Sequence, residues 1–223
     1  KARSPDKIIY AFDEATNDAF TETIATIKDF RYSRYTPLLY LKDKKKYAQM
    51  LAAQRNMGGF MRGVLVKRLE SSFYAFRMTL SRFIDSYDKF IAMAENGKVY
   101  ISKKVDVYDL LDDGNIEKLM YLIEQQDIME FKTNEFEPRF MKELRMDRAQ
   151  LKYLQDLWNM VETDPKLDEF KKNLTQNRIM CGKKVIVFTE SKETAEYLCK
   201  NLKDIYGDSI VFFSGQSSQA LKV

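Results

Sequence analysis

The stretch Lys184-Val185-Ile186-Val187-Phe188-Thr189-Glu190-Ser191 sets four apolar residues in a row against a hydroxyl-bearing turn. A strand buried on both faces of a parallel sheet reads as such a continuous run, whereas a half-exposed strand alternates. Ser191 is a helix N-cap residue by type, and Ala195, Leu198, Leu202 and Ile205 follow at helical spacing until Gly207. A second run, Ile210-Val211-Phe212-Phe213, comes next. Strand, helix and strand in this order predict a right-handed parallel βαβ unit. Two strands do not make a stable open sheet, so further strands are expected beyond Val223.

Working back from this unit, Asp164-Pro165 marks the start of a helix. The Asp side chain can cap it, and Pro at the first helical position gives up an N–H that has no partner there anyway. We place a domain boundary here, with residues 1–163 as a helical region and 164–223 as the opening of an α/β lobe. In the first part, Met61, Leu65, Leu69, Phe73, Phe76, Leu80, Phe83, Tyr87, Phe90 and Ala94 recur in nine steps over 33 residues. The average of about 3.7 predicts one long spine helix near 60–95, on the order of 50 Å in length. Gly58-Gly59 is read as a break before it and Asn96-Gly97 as its end. Residues 7–12 are expected to be a strand, with Asp13 capping a following helix. A short extended piece is expected at 98–102, a turn at Asp112-Asp113-Gly114-Asn115, a helix near Ile116 to Gln126, and helical periodicity again from Phe140 to Val161. The expected fold is mainly α with a C-terminal α/β unit.

Composition removes several function classes. The 223 residues include no His and only two Cys, Cys181 and Cys199, so imidazole metal sites, a zinc cluster and serine-triad chemistry are not available. No run of about 18 apolar residues is present and the mean hydropathy is -0.45, so no membrane span, no signal leader and a soluble, cytoplasmic protein are expected. A net charge of +4 suits a polyanionic partner without demanding one.

Ligands of parallel α/β units bind beyond the carboxyl ends of the strands. Those ends carry Thr189, Glu190 and Ser191 in one turn and Ser214 and Gly215 in the next. Their hydroxyls and close backbone approach suit contact with phosphate oxygens; the same residues also suit an N-cap and a simple turn. Gly58-Gly59-Phe60-Met61-Arg62-Gly63 lacks the Lys-Ser/Thr pair of a phosphate-binding loop and follows no buried strand, so it is not one.

The string Lys67-Arg68-Leu69-Glu70-Ser71-Ser72-Phe73-Tyr74-Ala75-Phe76-Arg77 resembles a signature of bacterial Swi/Snf-type ATPases of helicase superfamily 2, including the RNA-polymerase-associated translocase. Asp164-Pro165-Lys166-Leu167-Asp168 is similar to the helix leading into their second RecA-like lobe. Residues 184–191 with Thr194-Ala195-Glu196-Tyr197-Leu198 are similar to helicase motif IV and its helix, and 210–215 fall where the next strand and its turn would lie. The resemblance covers about residues 60–215. It implies a helical region plus an incomplete RecA-like parallel sheet, within an ATP-driven motor on double-stranded DNA. It further implies contact with backbone phosphates through Thr189, Glu190, Ser191, Ser214 and Gly215, packing against a first RecA-like lobe, and a protein complex on DNA as a possible partner. ATP and Mg²⁺ are the cofactors so implied for the complete protein. This chain lacks the Walker lysine, the acidic Mg²⁺ motif and the arginine finger on which phosphoryl transfer depends, so no bound cofactor and no catalytic residue are expected within it. For Lys67, Arg68, Glu70, Ser71 and Ser72 two roles fit: DNA contact, or packing of the helical region on the lobe. The alternative reading of the whole is a non-enzymatic helical scaffold or nucleic-acid-binding module.

Overall fold

The helical stripe that runs from Met61 to Ala94 is carried by two helices that meet at Ser72. The computed structural model describes residues 6–102, 128–213 and 221–222. Within them the chain is mainly helical, in the order α1 (Glu14–Asp29), α2 (Ala48–Ser71), α3 (Phe73–Glu95), β1 (Lys98–Ser102), β2 (Ile128–Lys132), α4 (Arg139–Asn159), α5 (Pro165–Gln176), α6 (Lys192–Tyr206), β3 (Val211–Phe212) and β4 (Leu221–Lys222). Short 3-10 turns lie between α1 and α2 and before α4.

The expected single spine is therefore corrected to an elbow. Ser72 is extended, with φ -160° and ψ 154°, and its Oγ accepts from the amide of Ala75 at 3.0 Å as the N-cap of α3. A one-residue break hardly disturbs the phase of the stripe, which is why periodicity does not reveal it. The expected break at Gly58-Gly59 is corrected in the opposite sense, because α2 continues through both. Gly58 lies close to Thr36 and Tyr32, with room for no more than ordinary contact at its Cβ position. Gly97, at φ +89°, ends α3 in a conformation that a side chain would disfavour.

Residues 7–12 form no strand, they pair with no other described residues in a ladder, and Ile9 is 81% exposed. The extended piece at 98–102 is β1, which pairs antiparallel with β2 from Lys98↔Lys132 to Ser102↔Ile128. The expected turn at 112–115 and helix near 116–126 fall outside the described residues.

The core runs from Ala19 to Val161. Its centre is Trp158 on α4, fully buried, 4.7 Å from Phe73 and 5.6 Å from Phe76 between ring centroids. The Trp158 Nε1–H donates to Thr23 Oγ1 at 2.7 Å, so the indole is buried with its polar atom satisfied. Each fully buried aromatic of this kind adds about 1.5–3 kcal/mol over its exposed state. A second anchor is Asp147 of α4, also fully buried. Its carboxylate accepts from the Arg31 amide at 3.0 Å, the Ser33 amide at 2.8 Å, the Ser33 hydroxyl at 2.5 Å and the Tyr87 hydroxyl at 2.9 Å. These bonds pin the turn after α1, where Tyr32 is held at φ 58°.

The C-terminal segment departs most from expectation. Residues 185–188 are in no helix and no sheet, with Ile186 79% and Phe188 90% exposed. β3 pairs antiparallel with β4, Val211↔Lys222 and Phe212↔Leu221. Among the described residues no parallel pair joins 185–188 to 210–213. The physical reason is that a parallel ladder takes its stability from flanking strands and from cover on both faces, and among the described residues neither surrounds 185–188.

Candidate functional site

The elbow at Ser72 leaves two sets of unsatisfied backbone groups: the last carbonyls of α2 and the first amides of α3. Ser72 meets the amides. The carbonyls are met from α5, where Lys166 Nζ donates to the Ser71 carbonyl at 3.0 Å and also to that of Glu70. An ammonium at a helix C-terminus faces the negative end of the helix dipole, so this placement is favourable on two counts. Burial pushes the Lys166 amine below its ordinary value, against the upward pull of Asp164 and Glu70.

The N-terminus of α6 docks on the same elbow. Thr194 Oγ1 lies 2.7 Å from Ser71 Oγ and 2.8 Å from Ser72 Oγ, a short chain of hydroxyls reaching Thr189 Oγ1 at 3.4 Å from Ser71. Beside it the Arg68 guanidinium donates to Glu193 Oε2 at 3.0 Å, and Arg82 donates to Glu193 Oε1. Arg68 is 8% exposed and Glu193 6%. Burial pushes the Glu193 carboxyl upward, but the hydrogen bond from Arg82, a backbone bond and the charges of both guanidiniums outweigh it, leaving the group below its ordinary value. At the edge Tyr74 stacks on Tyr197, 5.1 Å between centroids and 5° between planes, and the Tyr197 hydroxyl donates to Asp164 Oδ2 at 3.0 Å.

Several of the residues singled out in the sequence are thus brought to one place. Arg68, Ser71 and Ser72 face Glu193, Thr189 and Thr194, and the backbone of Glu70 and Ser71 faces Lys166. Ser191 is 2% exposed; its hydroxyl donates to Glu193 Oε2 at 3.0 Å and accepts from the Thr194 amide at 3.2 Å. It is a filled N-cap, and the carboxylate of Glu193 already supplies the anion that the start of α6 favours. Thr189 and Glu190 remain exposed, and Lys67 reaches Glu190 at 3.4 Å with both side chains in solvent. Ser214 and Gly215 lie outside the described residues.

Sequence reasoning missed Lys166, Arg82, Glu193 and Thr194 as site residues. Lys166 and Thr194 stood within strings already quoted and Glu193 beside one, so inspecting the first turns of α5 and α6 for charges and hydroxyls would have raised them. Nothing local marks Arg82, whose partner is 111 residues away.

What this arrangement does chemically is hold α5 and α6 on the α2–α3 elbow in one register. Among the described residues no group of His, Cys, Asp and Glu is placed to hold a metal ion, and no helix is long and apolar enough to cross a membrane. The chain matches no family model, no curated protein and no solved structure.

Proposed function

We propose that the chain is a segment of an ATP-dependent translocase on double-stranded DNA, in which the helical region seats the start of a second RecA-like lobe on the elbow between α2 and α3. One observation carries the reading: three of the stretches that resemble the Swi/Snf-type family, 67–77, 164–168 and 184–191 with 194–198, meet at a single seam. Lys166 of the second stretch meets the Ser71 carbonyl of the first, and Thr194 of the third meets the Ser71 and Ser72 hydroxyls.

In this reading residues 185–188 and 210–213 are neighbouring strands of a parallel sheet completed by further strands of the complete protein. The support is the exposed apolar run 185–188, which loses hydrophobic stabilisation until something covers it. ATP and Mg²⁺ are bound elsewhere in the complete protein, at the motifs this chain lacks. DNA is met at the exposed rim, by Lys67 and Thr189 together with Ser214 and Gly215, because Ser191 is already engaged within the protein. The test is ATP hydrolysis by the complete protein: the expected result is stimulation by double-stranded DNA, and a rate indifferent to DNA refutes the proposal.

A second reading, a non-enzymatic helical scaffold, draws on the same seam, since buried and fully paired side chains leave little free chemistry there. A complete protein that binds partners without hydrolysing ATP would decide for it.

A further inference from the structure

The seam between the elbow and α6 differs in kind from the core beneath it. The core cluster extends from Ala19 to Val161 and takes no residue from α5 or α6. Leu167, Leu174 and Leu202, the buried aliphatics of those two helices, lie outside it. Arg68 and Ser72 on one side meet Glu193 and Thr194 on the other, four buried groups that are all polar or charged. The aromatic contact, Tyr74 on Tyr197, sits at the rim with Tyr74 38% exposed.

An apolar seam holds without direction, and separating it exposes surface that water does not welcome. A polar seam holds in one register, and on separation each guanidinium, carboxylate and hydroxyl regains its hydration, which offsets the lost contacts. Within the departing part, Tyr197 stays bonded to Asp164 and the Tyr206 hydroxyl to the Leu174 carbonyl at 3.4 Å, so α5 and α6 keep each other's company.

We propose that α5 and α6 form a unit that docks on and releases from the α2–α3 elbow as a body, with Glu193 as the bolt, held from two sides by Arg68 and Arg82. This is a property of the chain itself and stands apart from the translocase reading.

Amide hydrogen exchange on the full 223-residue chain tests it. In Glu193→Gln two guanidiniums face an uncharged amide. The amides of α6 are expected to exchange at least tenfold faster, with those of α4 between Leu144 and Trp158 unchanged. Equal acceleration in α4 and α6 would show one cooperative body and overturn the proposal, as would no change in either. A second variant does not depend on that substitution folding: Ser71→Cys with Thr194→Cys, with Cys181 and Cys199 changed to Ser. Cross-linking is expected to slow α6 exchange at least tenfold and reduction to restore it. A cross-linked form whose α6 exchanges as in the reduced form refutes a docking equilibrium.

Discussion

Arg68 and Glu193 are 125 residues apart in sequence and 3.0 Å apart in space, with their side chains only 9% and 8% exposed. A pair so buried fixes geometry more than it adds stability, because desolvation offsets most of the attraction. Its weight appears when one partner is lost.

Arg68→Met should cost about 2–4 kcal/mol, since Glu193 then keeps a single guanidinium in a dry site. Arg68→Met combined with Glu193→Met should cost less than the sum of the two single changes, with a coupling of about 1–3 kcal/mol. Urea unfolding of the four proteins, followed by circular dichroism, provides the measurement. Strictly additive costs would show that the two residues do not act together.

Ser72 has two duties, capping α3 through the Ala75 amide and meeting Thr194. Ser72→Ala should lower stability by about 1–2 kcal/mol. Thr194→Val should cost less, because it removes the seam contact and leaves the cap. An equal loss in both variants would place the whole effect at the seam.

Two buried carboxyls give opposite responses to pH. Glu193, held below its ordinary value, contributes stability that is present above the unfolded carboxyl value and is lost as pH falls through the folded one. Burial raises the Asp147 carboxyl despite its hydrogen bonds from Ser33, Arg31 and Tyr87, so its contribution is present below the unfolded value and is lost as pH rises through the folded one. Thermal unfolding from neutral to acid pH should therefore show the gap between wild type and Glu193→Gln narrowing as the solution is acidified. Asp147→Asn, which sets an NH₂ among four donors, should be destabilised by about 2–4 kcal/mol at neutral pH. A gap for Glu193→Gln that widens toward acid would reverse the assigned sign.

Lys67 and Glu190 pair in solvent, where such contacts contribute little. Lys67→Gln should leave the urea midpoint of this chain where it is. In the complete protein it should weaken DNA binding similarly across sequences and reduce the salt slope by about 1. An unchanged slope would remove Lys67 from the DNA rim.

Much of the helical framework is legible from caps and periodicity. Asp13, Asp164 and Ser191 accept from Thr16, Leu167 and Thr194 as N-caps of α1, α5 and α6, as their positions suggest. The elbow is less legible, since Ser72 interrupts the helix without disturbing the stripe. The hairpin is half legible: β1 lies in a readable stretch, while β2 is specified by pairing over more than twenty intervening residues. Apolar runs mislead where no described residue covers them, as at Ile9 and at Ile186 to Phe188. Resemblance flags both halves of the seam without showing that they touch, because Arg68, Arg82 and Glu193 are joined only by tertiary packing.

The central proposal, that the chain belongs to a motor moving on duplex DNA, is tested most directly by triplex displacement with the complete protein. A third strand bound to linear double-stranded DNA should be released when ATP is supplied and retained with a non-hydrolysable analogue. Retention of the third strand with ATP, by a protein that binds the same DNA, would contradict translocation.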